Sequence, residues 1–105
     1  MAVLFRMKKP GADEYRITYH YLVVDFDIPR LDRSTARQIE GAIKRKLTVE
    51  PEMYGLPLRG ILAGCWKLRV GDWRIIYQIL GGEVRILIIE NRRDVYQRVL
   101  SRLNK

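Results

Sequence analysis

Lys67, Arg69 and Arg74 are the residues best spaced for chemistry, because they flank the dipeptide Gly71-Asp72 inside two dense apolar segments. A two-residue turn with Gly first sets the strand register. It pairs Val70 with Trp73, Arg69 with Arg74, Leu68 with Ile75, Lys67 with Ile76 and Trp66 with Tyr77. One hairpin face then carries Trp66, Leu68, Val70, Trp73, Ile75 and Tyr77 and belongs in a core. The other carries Lys67, Arg69 and Arg74, with Cys65, Ile76 and Gln78 beside them. Residues two apart on a strand face lie about 6.5 to 7 Å apart, near the spacing of successive phosphates on a nucleic-acid strand, so Lys67 and Arg69 suit one backbone. Like charges directly opposite in a sheet cost about 0.2 to 1 kcal/mol, and Arg69 faces Arg74. Stability by itself does not select that pair. An anion between them turns repulsion into two charge-assisted contacts. The alternatives are that the arginines splay into water, or that Asp72, Glu83 or Glu90 neutralises them.

The charge of the whole chain points the same way. It has 105 residues, with 20 Lys+Arg against 12 Asp+Glu and a net charge of +8. Residues 59–105 contribute +6 of this and residues 1–58 only +2. A basic patch on so small a domain reads as a phosphate-binding surface with nucleic acid as the leading partner; solubility or an acidic protein partner is the plainer explanation. The single Cys65 excludes an internal disulfide, and with the single His20 it leaves no Cys/His metal cluster. Apolar runs such as Ile86–Ile89 fall far short of the roughly 20 residues of a membrane span, and no secretory signal is evident, so the cytoplasm is the expected compartment.

The elements that must position these residues follow from periodicity. Residues 1–13 read as a loose leader and 14–105 as a single domain. Tyr15, Ile17 and Tyr19 alternate with polar residues as in a half-buried strand. Residues 21–28 suit either a strand, from Val23-Val24, or a short helix ending before Pro29. Ala36, Ile39, Ala42, Ile43 and Leu47 predict an amphipathic helix over 34–47, capped by Asp32 or Ser34 and closed by Lys44, Arg45 and Lys46. Residues 50–64, punctuated by Pro51, Gly55, Pro57, Gly60 and Gly64, read as a connecting loop. Three strands follow, over 65–70, 73–80 and 84–90, the last two joined by Gly81-Gly82-Glu83. Val95, Val99 and Leu103, flanked by Tyr96 and Leu100, describe a terminal helix.

The segments Asp27-Ile28-Pro29, Pro51 to Gly60, Trp66-Lys67-Leu68-Arg69-Val70-Gly71-Asp72-Trp73-Arg74-Ile75-Ile76-Tyr77 and Arg92-Arg93-Asp94-Val95-Tyr96 together resemble the RelE branch of the RelE/ParE toxin superfamily, over about residues 14–103. The resemblance implies an α+β fold: a small, mostly antiparallel four-stranded sheet with two N-terminal helices packed on one face and a C-terminal helix. It favours a helix for residues 21–28. It also implies a toxin–antitoxin pair, in which the toxin cleaves messenger RNA in the ribosomal A site without metal or other cofactor and a cognate antitoxin covers its basic surface.

In such enzymes the ribose 2′-OH attacks the adjacent phosphate, leaving a 2′,3′-cyclic phosphate and a free 5′-OH. The catalytic positions implied here are Lys67, Arg69, Arg74, Arg92 and Tyr96, and the RNA-binding ones Lys67, Arg69, Arg74 and Arg93, with Arg93 able to replace Arg92. Arg69 and Arg74 would stabilise the pentacoordinate phosphate, a contribution of roughly 3 to 4 kcal/mol per well-placed donor. Tyr96 or Lys67 would take the 2′-OH proton, and Arg92 or Lys67 would assist the leaving oxygen. Tyr96 could instead simply pack on the sheet. Tyr77, Trp66 and Trp73 read as core, His20 as an exposed strand-end or helix-cap residue, and Cys65 as an inert neighbour. Two rival readings are a ParE-like toxin that inhibits DNA gyrase without cutting nucleic acid, and a decayed toxin that binds antitoxin and RNA without turnover.

Overall fold

The structure, a computed structural model, describes residues 14–103; the leader expected over 1–13 lies outside them. Strand β1 (Arg16–Tyr19) leads into a helical run over 21–30, α1, which has one widened turn at Val23–Asp27 and a 3-10 turn at Ile28–Arg30. Helix therefore wins over strand here, and Pro29 sits inside the last turn, where its missing N–H is harmless. His20 starts the run by accepting from Leu22 N through Nδ1 at 3.1 Å, as a cap. Helix α2 (Arg33–Ala42) continues through a widened turn at Ile43–Leu47. Its cap is Asp32, not Ser34: the carboxylate accepts from Thr35 N at 2.6 Å.

The segment expected to be one loop over 50–64 is more ordered than its punctuation suggests. It holds a helical turn, α3 (Pro51–Tyr54), the two-residue strand β2 (Leu56–Pro57) and a 3-10 turn at Gly60–Leu62. Then come β3 (Trp66–Val70), β4 (Trp73–Leu80), β5 (Glu83–Asn91) and helix α4 (Val95–Arg102). Among the described residues the sheet thus has five strands where four were expected, in the order β1-β5-β4-β3-β2, with only the β1–β5 pairing parallel. Gly71 opens the first hairpin turn at φ 60°, a left-handed conformation that costs glycine nothing.

Each face of the sheet has its own core. On one, Val23 of α1 and Ile39, Ile43 and Leu47 of the α2 segment pack on Leu68, Ile75, Tyr77 and Ile86, with Trp66, Val70 and Trp73 partly buried alongside. On the other, Val95 and Val99 of α4 cover Cys65, Ile76, Leu87 and Ile88. A bulge divides the apolar run of β5 between them. The register passes from Ile76↔Ile88 to Tyr77↔Ile86, so Leu87 is the extra residue. Ile86 and Ile89 then face α1 and α2, while Leu87 and Ile88 face α4.

Two details position the rest. Tyr77 is fully buried and its phenol donates to Pro51 O at 2.5 Å, tying α3 to the sheet. A Cβ on Gly55 would lie 1.8 Å from that phenol oxygen, so only glycine fits. In α4, the inward position expected for Leu103 is taken by Arg102, and Leu103 is exposed. An arginine can occupy that place because it reaches a buried carboxylate, Asp27 of α1.

Candidate active site

The cationic hairpin has the register its turn dictates, with Arg69 opposite Arg74 and Lys67 opposite Ile76. The two arginines behave differently. Arg69 projects into solvent. Arg74 is 9% exposed and folds over the turn, its Nη1 donating to Gly71 O at 2.9 Å and Trp73 O at 3.0 Å. The expected catalytic arginine is therefore also a brace that fixes the hairpin tip.

The core beneath α4 brings Tyr96 to the same face. With Val95 buried against Ile76 and Ile88, the next side chain reaches the strand below. Lys67 Nζ donates to Tyr96 Oη at 2.9 Å and lies 5.6 Å from the ring centroid. Tyr96 is 40% exposed and holds its oxygen at the surface.

Arg92 and Arg93 lie in the turn between β5 and α4, which is stitched to the hairpin tip: Arg92 N donates to Asp72 O at 3.0 Å. The Arg92 guanidinium approaches the Asp72 carboxylate at 3.7 Å with both exposed, a pair of little energetic consequence that an incoming phosphate can replace. Arg93 N is held by Asn91 Oδ1 at 3.2 Å. These residues line a shallow polar depression of about 340 Å³ with Asp94.

Nearby carboxylates do not neutralise the hairpin. Glu90 is the cross-strand neighbour of Arg74, yet its Oε2 pairs with Arg98 at 2.9 Å and Arg30 at 3.9 Å; Glu83 is shared by Arg16 and Arg85. Among the described residues, Lys67, Arg69 and Arg74 have no carboxylate partner. The positive charge of this face is therefore not balanced by a side-chain ion pair among the described residues. Cys65 lies beneath this face at 2% exposure, and burial pushes its thiol pKa up, so it remains a protonated packing group. Among the described residues, no group of three or more His, Cys, Asp or Glu is placed to hold a metal ion, and no helix is long and apolar enough to cross a membrane.

Sequence reasoning missed Asp27 and Arg102. Arg102 Nη1 donates to Asp27 Oδ2, and Nη2 donates to Oδ1 at 3.0 Å, across 75 residues of chain. The available signal was a positive charge on the apolar stripe of α4, which names no partner.

A small α+β domain with an unneutralised cationic hairpin beneath a C-terminal helix is the class defined by this geometry, and comparison assigns it. A family model described as the ParE toxin of the type II toxin–antitoxin system parDE matches residues 12–96, and the chain belongs to that family, within the RelE/ParE superfamily. Toxin RelG of Mycobacterium tuberculosis is 37% identical over 54 residues, covering 50% of this chain. The chain spans 62% of that curated relative's length. The toxin–antitoxin complex RelBE2 from M. tuberculosis matches with a TM-score of 0.70 at 27% identity, covering 75% of this chain and 99% of that one. A mutant E. coli toxin RelE in the free state matches with a TM-score of 0.66 at 18% identity, over 85% of this chain and 97% of that one, a likeness of fold.

Proposed function

We propose that this type II toxin is a metal-independent endoribonuclease that cuts messenger RNA in the ribosomal A site, by attack of the ribose 2′-OH on the adjacent phosphate. The observation carrying the reading is the Lys67–Tyr96 contact, set beside Arg69 and Arg74 on a face where, among the described residues, no carboxylate pairs with them. A hydrogen-bonded phenol and ammonium give one surface point both an acceptor and donors, which proton transfer at the 2′-oxygen and the leaving 5′-oxygen requires. Arg69 and the remaining donors of Arg74 meet the charge that develops on the phosphate. Arg92 and Arg93 hold the flanking RNA backbone or assist the leaving group. A domain this small would rely on the ribosome to orient its substrate. The compartment is accordingly the cytoplasm.

The partner is an antitoxin, as in the solved toxin–antitoxin complex RelBE2. Exposed Tyr21, Val24 and Phe26 on α1 and the net positive charge suit an apolar and acidic chain. The second reading is the ParE-like one, inhibition of DNA gyrase without cutting nucleic acid; the family model that matches is described as a ParE toxin.

Induction of the toxin followed by primer extension on translated messages separates the two. Cuts inside codons that vanish in Lys67→Ala support the nuclease. Intact messages with accumulating DNA breaks support gyrase inhibition. Antitoxin binding with neither effect marks a toxin without turnover.

A further inference from the structure

We infer that Asp27 and Arg102 are positioning residues for the Lys67–Tyr96 centre, latching α4 in the register that sets Tyr96 over Lys67; the inference rests on the nuclease reading for its kinetic consequences. The latch replaces a missing strand. Pairing of β1 with β5 ends where Tyr19 meets Ile86, with His20 N donating to Ile86 O at 2.8 Å. Beyond that point β1 no longer runs alongside β5, and the ion pair takes its place. Ile89 N donates to Asp27 Oδ2 at 2.9 Å, and Leu87 O accepts from Arg102 Nη1 at 3.1 Å. Both side chains are buried, at 3% and 6% exposure.

Every polar contact of the pair is therefore directional and made to the backbone of β5 or to the partner side chain. Such contacts fix a position, where apolar contacts would tolerate sliding. That matters because α4 is short and its apolar contacts, Val95, Val99 and the partly buried Leu100, set no fixed position along its axis. It is eight residues long, too short to be stable by itself, and its buried apolar anchors are Val95 and Val99. Tyr96 sits on its first turn and Arg102 on its last, so freeing the last turn lets the helix slide and turn over the sheet. Arg98 adds a second contact to β5 through Glu90.

The test compares Arg102→Met, Arg102→Lys and Asp27→Asn, the last keeping an acceptor for Ile89 N. Three quantities are measured: the single-turnover cleavage rate on translating ribosomes, the half-saturating ribosome concentration, and acylation of Lys67 read by mass spectrometry. The expected result for Arg102→Met is a roughly tenfold to hundredfold slower cleavage step, with half-saturation moved by less than about twofold and no further loss beyond about twofold in a Tyr96→Phe background. Lys67 labelling should rise to the level seen in Tyr96→Phe, and Arg102→Lys should recover part of both effects. A folded Arg102→Met protein with wild-type labelling and rate overturns the inference, as does full additivity with Tyr96→Phe. Should Arg102→Met fail to fold, Asp27→Asn and Arg102→Lys carry the same comparison. Should the wild-type toxin cut no message, the nuclease reading falls, and Lys67 labelling alone decides whether the pair sets the contact.

Discussion

Lys67 Nζ donates a 2.9 Å hydrogen bond to Tyr96 Oη, joining the start of β3 to the first turn of α4 across 29 residues of chain. Both groups reach the surface, so the contact contributes little to the core. Lys67→Ala and Tyr96→Phe should each leave the melting curve within about 0.5 kcal/mol of wild type while reducing message cleavage roughly a hundredfold or more. Because the two act together, the double variant should be no slower than the worse single one. Single-turnover assays with matched urea titrations check both halves.

Arg69 and Arg74 face each other but should respond oppositely to removal. Arg69→Ala relieves like-charge repulsion, so stability should hold or rise by about 0.2 to 1 kcal/mol. Affinity for single-stranded RNA should fall, and the slope of log K against log salt should lessen by about 0.7. Arg74→Ala frees the carbonyls of Gly71 and Trp73 and should cost about 1 to 2 kcal/mol. Salt-dependent binding and denaturant titrations separate the two.

The Tyr77 phenol and the Cα of Gly55 occupy adjoining space. Tyr77→Phe leaves Pro51 O with only the longer contact from Gly55 N at 3.3 Å and should cost about 1 kcal/mol. Gly55→Ala forces its Cβ against the phenol and should cost more. In a Tyr77→Phe background its further cost should shrink, because the oxygen at 1.8 Å is gone while the ring carbon at 2.8 Å remains. Urea titration of the four proteins checks the coupling.

Alkaline pH should destabilise the fold, chiefly through the buried Tyr77 phenol. Burial first, then Glu52, raises the Tyr77 pKa well above its ordinary value; burial first, then Glu40, raises that of Tyr19. A raised folded-state pKa means the unfolded chain loses its proton first. The stability these tyrosines contribute is therefore complete below about pH 10 and is lost as pH rises above it. Melts across the alkaline range should show this decline, and a flatter one in Tyr77→Phe.

The hairpin was legible to the residue because two constraints agree. Gly71 in a two-residue turn sets the register, and a one-residue slip would put Leu68, Ile75 and Tyr77 on the wrong face. The 21–28 segment was not legible from its residues, since Val23-Val24 suits a strand; what decides it is that a helical run turns both Val23 and Asp27 inward. The fifth strand was hidden because two residues of β2 bear no period; its pairing with β3 lies beside the long-range Tyr77–Pro51 hydrogen bond, which no local pattern announces.

The sequence by itself determined the local features: the strand pairing of Lys67, Arg69 and Arg74, the amphipathic face of α2, and a positive charge concentrated after residue 58. These follow from turn geometry, periodicity and composition, which act between near neighbours. Only the tertiary structure decided that Tyr96 meets Lys67, that Arg74 braces the turn it flanks, and that Arg102 rather than Leu103 faces inward. The physical reason is that α4 docks on groups brought together from distant parts of the chain, the Ile76–Ile88 face and the buried Asp27 carboxylate. Contacts spanning 29 and 75 residues leave no periodic trace in the chain that makes them.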